Sequence, residues 1–263
     1  MEKEIVHIHQ VVTRLPELRF AEPVEWRICE GEQWAVVGPN GAGKTLLADI
    51  LQRKFAFREG EVCYNKEGKV SDIIRSIAFK DIYSLADCRN SYYQQRWHAT
   101  ESDDVPTVAD TLSAYEGTEN LKEVLHIFGI EDLLPKKLIY LSSGELRKFL
   151  IVRTLLSRPE ILILDNPFIG LDAPSRDLLV DMLGQLSHLH GVQVILLLSN
   201  PADIPDMITH VLPIAGKKCY PPMSREAFLA DTALIQVLFP EENWVQTALP
   251  VDPNKQPATH EVT

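Results

Sequence analysis

The residues of this 263-residue chain with the most definite chemistry are Gly38-Pro39-Asn40-Gly41-Ala42-Gly43-Lys44-Thr45. They match G-x-x-x-x-G-K-[ST], a pattern whose backbone N–H groups wrap phosphate oxygens, whose lysine reaches the terminal phosphates and whose hydroxyl ligates Mg²⁺. A side chain at Gly41 or Gly43 would hold a phosphate away from those amides. The flanking residues supply what the loop needs. Glu32 to Val37 reads as a buried strand, and the run from Thr45 through Leu46 to Leu51 repeats apolar residues at helical spacing. Strand, loop and helix in that order aim the helix dipole and its free N–H groups at the anion. The sequence thus predicts a site for the phosphate chain of a nucleotide, built from residues 38 to 46.

A second chemical group lies far along the chain. Ile161-Leu162-Ile163-Leu164 is a continuous apolar strand ending in Asp165, and a carboxylate at a strand tip can hold Mg²⁺ opposite Thr45, directly or through water. Before it, Leu141-Ser142-Ser143-Gly144-Glu145 leads a helix carrying Leu146, Phe149, Leu150, Val152, Leu155 and Leu156. A serine-capped helix accounts for Ser142 but not for Gly144.

The elements that must position these groups can be read in order. Alternating apolar residues at Ile5 to Val12 and at Val24, Trp26 and Ile28 predict half-buried strands joined by a loop with Pro16 and Pro23. Gly60 to Asn65 predicts another strand, and Ile73 to Phe79 a short helix or strand. Residues 80 to 106, with Tyr92 to His98 and the acids Glu101, Asp103 and Asp104, read as a long functional loop. Helices are expected over Val108 to Tyr115 and Leu121 to Phe128, capped by Thr107 and Thr118. A helix from Pro174 to Leu189 precedes a second continuous strand, Val192 to Leu198; Met207 to Ile214 adds a further strand and Ser224 to Phe239 two short helices. Continuous apolar strands between helices mean a parallel sheet covered on both faces. The polar, proline-containing stretch from Pro240 to Thr263 is expected to fray.

Composition narrows the class. A net charge of -11 argues against a general nucleic-acid surface. Cys29, Cys63, Cys88 and Cys219 lack C-x-x-C spacing, which points to reduced thiols in a cytoplasmic protein and not to a cysteine zinc site. Met1-Glu2-Lys3-Glu4 does not open a signal peptide, and the apolar run from Val194 to Leu198 is too short to span a bilayer. Any work at a membrane requires docking onto another chain.

Taken in order, Gly38 to Thr45, Leu141 to Glu145, Ile161 to Asp165 and Gly170-Leu171-Asp172 resemble the ATP-binding subunits of the ABC superfamily over roughly residues 1 to 215. The resemblance implies an α/β P-loop core with a mostly parallel sheet, an N-terminal antiparallel β layer and a helical subdomain at about 84 to 150. Residues 216 to 263 would be a C-terminal extension. It also implies a head-to-tail dimer, homo- or heteromeric, in which each MgATP lies between one chain's phosphate loop and the other chain's Ser142, Ser143, Gly144 and Glu145. Asp172 would belong to the dimer-contact loop, and the favoured partner is a membrane permease at the inner face of the cell membrane. Tyr92 to Val108 and Asp165 to Asp172 are similar to a molybdate-transport and photorepair subgroup that often carries two such modules. A single module implies a homodimer or a separately encoded partner.

The departures from that pattern concern catalysis. Asn166 stands where the family usually has a glutamate that polarises the attacking water, and Asn200 where a switch histidine is usual. An amide can orient a water but cannot take its proton. The Mg²⁺-contacting loop glutamine is Gln94 or Gln95, unless Asp81 fills that place, and Phe20 is a candidate to stack on adenine or a core phenylalanine. Slow hydrolysis follows as an expectation. The alternatives are a soluble non-transport ATPase with a regulatory, repair or translation role, or a nonhydrolysing ATP-binding module. A basic surface around Arg89, Arg96 and His98 would favour nucleic acid, which the adjoining acids disfavour.

Overall fold

The computed structural model of the protein describes residues 3–79 and 105–240. Among them, strands β1 (Glu4–Thr13), β2 (Val24–Cys29) and β4 (Phe57–Tyr64) form an antiparallel sheet in the order β2-β1-β4. A larger sheet has the order β10-β8-β3-β7-β6-β5, with β9 (Lys218–Cys219) also paired to β8. Its strands are β3 (Trp34–Val37), β5 (Ile74–Ala78), β6 (Ile161–Asp165), β7 (Gln193–Leu198), β8 (His210–Ala215) and β10 (Met223–Ser224). The five from β8 to β5 run parallel, and β9 and β10 pair antiparallel to β8. The chain is the α/β P-loop fold that the sequence predicts.

The continuous apolar strands are buried on both faces because two different layers cover them. Trp34, Val36, Ile161, Ile163, Ile195 and Leu197 pack with Ile8, Trp26 and Ile28 of the antiparallel sheet and with helix α1 (Lys44–Leu51). Their alternates Ala35, Val37, Leu162, Leu164, Val194 and Leu196 face a second core. There they meet α4 (Glu119–Phe128), α5 (Ser143–Leu155) and α6 (Ala173–His190), through Phe128, Phe149, Ile151 and Leu183.

Several boundaries move for physical reasons. The predicted strand from Glu32 begins at Trp34, because Glu32 Oε2 accepts from Cys29 N at 2.7 Å and Trp34 Nε1 at 3.0 Å, holding the turn. Gln33 is spent on bridging: its Oε1 accepts from Val194 N at 2.7 Å, and Thr209 N donates to its carbonyl at 2.9 Å. The helix or strand expected at Ile73 to Phe79 is strand β5, preceded by a short helix α2 (Val70–Ile73). The expected helix over Val108 to Tyr115 is α3 (Val108–Leu112) continued by a 3-10 turn. Thr107 and Thr118 both cap as expected, accepting from Asp110 N and Leu121 N.

Beyond residue 215, β10 pairs with β8, and α7 (Arg225–Ala230) and α8 (Thr232–Leu238) bury Phe228, Leu238 and Phe239 in the larger core. Residues 80–104, most of the expected long loop, and those after 240, expected to fray, lie outside the described residues. Because Gln33 ties β3 to β7, Gln33→Ala strands a buried Val194 N–H. Unfolding in urea is expected to show a loss of about 2 kcal/mol.

Candidate functional site

The C-terminal ends of β3, β7 and β6 lie side by side, with Val37 in register with Leu198 and Asp165 with Leu197. β3 runs into the 38–43 loop, and α1 starts at Lys44. Gly38 is required where the loop leaves the sheet: a Cβ there would lie 1.9 Å from the Ile214 carbonyl oxygen. Gly43 caps α1 at φ 110°, and a Cβ on it would meet the Phe20 ring at 3.3 Å. Gly38 N donates to Leu198 O at 3.2 Å, and Lys217 N donates to Ala42 O at 2.9 Å. The loop is therefore held from both sides.

Lys44 is buried and donates from Nζ to Gly38 O at 2.6 Å and Pro39 O at 2.9 Å, keeping its ammonium against the loop. The Thr45 hydroxyl donates to Asp165 Oδ2 at 2.7 Å. Asp165 is 5% exposed. Its other described partner is the Asn166 amide, which donates to Oδ1 at 2.8 Å. A buried carboxylate met by a neutral hydroxyl and a neutral amide has unbalanced charge, and two hard oxygens side by side are the donor chemistry of Mg²⁺.

Asn166 holds a left-handed backbone at φ 52°, which an asparagine tolerates. The Ser199 hydroxyl lies 2.9 Å from Asn166 Oδ1 and 2.9 Å from Asn40 Oδ1, with one proton for two acceptors. A cleft of about 570 Å³ opens here, lined by Asn40, Gly41, Asn166, Ile169 and Ser199 among others. Asn200 turns elsewhere: its Oδ1 accepts from Ala202 N at 2.8 Å and caps the turn at Pro201–Asp203. Phe20 is half-buried against the edge of the core beside Gly43. Gln94, Gln95 and Asp81 lie outside the described residues.

The Leu141 to Glu145 segment forms the start of α5. Ser142 Oγ accepts from Glu145 N at 3.2 Å while Glu145 Oε2 accepts from Ser142 N at 2.8 Å, a reciprocal capping box. Lys136 Nζ donates to Glu145 Oε1 at 2.8 Å. That bond, then the one from Ser142 N, holds the Glu145 carboxyl below its ordinary value of 4.5. Ser142 and Ser143 are exposed, and a Cβ built on Gly144 meets nothing within 4 Å. The capped hydroxyl still has a proton to donate outward. One turn on, Arg147 is buried and donates to Pro167 O at 2.7 Å and Ile169 O at 2.8 Å, its guanidinium 5.0 Å from the Phe79 ring centre.

Ser199, Lys136 and Arg147 were not singled out by sequence. Ser199 carried one usable signal: it follows an apolar strand that can lie between the phosphate loop and Asp165.

The model of the ABC transporter family matches residues 21–169. The chain is 30% identical to an uncharacterized ABC transporter ATP-binding protein of Schizosaccharomyces pombe, over 80% of this chain and 45% of that protein. It is 29% identical to the ABC transporter ATP-binding protein ModF of Escherichia coli, over 96% and 51% respectively. It thus spans about half the length of these relatives. The zinc import ATP-binding protein ZnuC of Wigglesworthia glossinidia brevipalpis is 24% identical over 72% of each chain. In fold, CbiO1 from Clostridium perfringens, part of the ABC transporter complex cbiONQ, matches 91% of this chain and 97% of its own, at a TM-score of 0.72 and 17% identity.

Removing the cap with Ser142→Ala is expected to lower stability by about 1 kcal/mol. The Glu145 carboxyl is depressed on folding, so its contribution is complete above its ordinary value of 4.5 and is lost as the pH falls through the folded value. The stability difference between wild type and Glu145→Gln, measured by thermal melts, should shrink across that acid range.

Proposed function

The chain belongs to the ABC transporter family through its ATP-binding domain, and from that membership we propose that it clamps MgATP in a dimer and passes the motion to a membrane permease. The observation that carries this reading is the 2.7 Å contact between Thr45 and Asp165 at the mouth of the phosphate loop. Residues 38 to 46 hold the phosphates through backbone amides, and Lys44 turns from its own carbonyls to the terminal phosphates. Mg²⁺, held by Thr45 and Asp165, would screen the charge on those phosphates.

The second half of each site comes from another ATP-binding unit, a second copy of this chain or a different one. Exposed Ser142 and Ser143, and a Gly144 that nothing among the described residues crowds, support approach from outside. Three large exposed apolar residues, Leu15, Tyr140 and Ile169, lie in the loop near Phe20, beside the Ser142 segment and in the loop before Asp172. Such residues suit a contact surface, with Asp172 at its rim. Among the described residues no helix is long and apolar enough to cross a membrane. In this reading residues 1–215, with a helical part at about 84–150, form the ATP-binding unit, residues 216–263 are a C-terminal extension whose first part packs onto it, and the protein works at the cytoplasmic face of the permease.

Turnover is slow. Asn166 is hydrogen-bonded to Asp165 and to Ser199, and an amide in that position orients a water without accepting its proton. Asn200 is engaged in its own turn. The same facts favour a second reading, an ATP-binding module that does not hydrolyse, and turnover by the purified protein separates the two.

Lys44→Ala is expected to weaken ATP binding roughly ten- to a hundredfold in equilibrium titrations, the loss of a charge-assisted contact. Asn166→Glu should raise steady-state phosphate release by about a hundredfold. Fast release by the wild type, unchanged in Asn166→Glu, would overturn the slow-turnover reading.

A further inference from the structure

We propose that His7, His9 and Glu25 form a binding site for a divalent transition-metal ion of the zinc class, on the outer face of the antiparallel sheet and apart from the nucleotide site. His7 and His9 are two residues apart on β1 and therefore project from the same face. Ile8 between them is buried in the core, so the histidines point away from it. Glu25 lies on the neighbouring strand β2, between buried Val24 and Trp26, and shares that outer face.

The donor atoms converge. His7 Nε2 is 2.5 Å from Glu25 Oε1 and His9 Nδ1 is 3.2 Å from Glu25 Oε2. One ligand atom from each of the three residues can be chosen so that all lie within 4.8 Å of one another. Zinc bound at about 2.0–2.2 Å to imidazole nitrogen and carboxylate oxygen needs its ligands about this close, so small side-chain rotations suffice.

The backbone prepares the arrangement. Pairing of β1 with β2 slips between Ile8 and Val11, and Gln10 in the slip has φ 48°. From there its backbone N–H donates to Glu25 Oε2 at 3.1 Å and its side chain at 3.0 Å, fixing the carboxylate toward the two rings. Burial pushes the Glu25 carboxyl up, but the bonds from His7 and Gln10 outweigh it and bring the value to about 2, so the group is an anion at neutral pH. Two imidazoles and one carboxylate form a mixed N/O donor set that suits zinc, with a further position left to water.

Other charges surround the cluster. Arg27 Nε lies 3.3 Å from His7 Nε2 and opposes a cation, but its side chain is 65% exposed and can swing clear. Glu4 and, across β1 on β4, Glu61 favour one: Glu4 Oε1 is 3.8 Å from His7 Nδ1, and Glu61 pairs in register with His9. Cys63 pairs with His7, but burial and Glu61 push its thiol above its ordinary value, so it stays protonated.

The test titrates ZnCl₂ into the full chain, free of nucleotide, by calorimetry and by competition with a chromophoric chelator. Wild type should bind one equivalent with saturation and melt at a higher temperature when zinc is present. His9→Ala and Glu25→Gln should each weaken binding by about tenfold or more. His9 is exposed, so His9→Ala should keep the zinc-free melting temperature. Absence of saturable binding by wild type overturns the proposal. So does unchanged affinity in His9→Ala, or binding that is lost in Cys63→Ser but kept in His9→Ala.

Discussion

A hydroxyl and a carboxylate 120 positions apart in the chain meet at 2.7 Å, and the rest of the architecture can be understood as what that meeting requires. Thr45 lies one residue into α1, and Asp165 is the last residue of β6. Between their strands stands β7, whose register with both neighbours sets how far each loop projects. A one-residue slip of β6 would turn Asp165 to the opposite face of the sheet. It would also exchange Ile161 and Ile163 in one core with Leu162 and Leu164 in the other, disturbing close packing on both faces. Core packing and site geometry are thus one constraint.

Much of this was legible in the residues. The loop from Gly38 to Thr45 states its chemistry locally, because spacing along a few residues determines what the backbone can cradle. Asp165 was legible because an apolar run ends abruptly in an acid, and Thr107, Thr118 and Ser142 because caps act within one turn. What escaped notice depends on pairing between distant segments. Ser199 matters only because β7 lies between β3 and β6, and Lys136 only because its chain folds back to Glu145. The His7, His9 and Glu25 cluster needs the slip at Gln10. Gln94 and Gln95 lie outside the described residues, so those assignments rest on resemblance.

Asn166 and Ser199 give the region beside Asp165 a neutral character. An acid at position 166 would add a second negative charge next to a carboxylate already buried, at a cost that only nearby cations could offset. Asparagine avoids that repulsion and adds a donor to Asp165. The residue that cannot take a proton from water therefore also supplies Asp165 with a hydrogen bond.

Arg147 has a mechanical meaning beyond its hydrogen bonds. Its guanidinium grips the carbonyls of Pro167 and Ile169 from inside the molecule, so α5 and the loop leaving β6 are riveted together. In the dimer proposed above, the exposed start of α5 would face one nucleotide and the loop leaving β6 would border the other. On that proposal, a rigid joint between them would make two separate pockets the ends of one lever, in which a push on either end is felt at the other without any change in the sheet beneath.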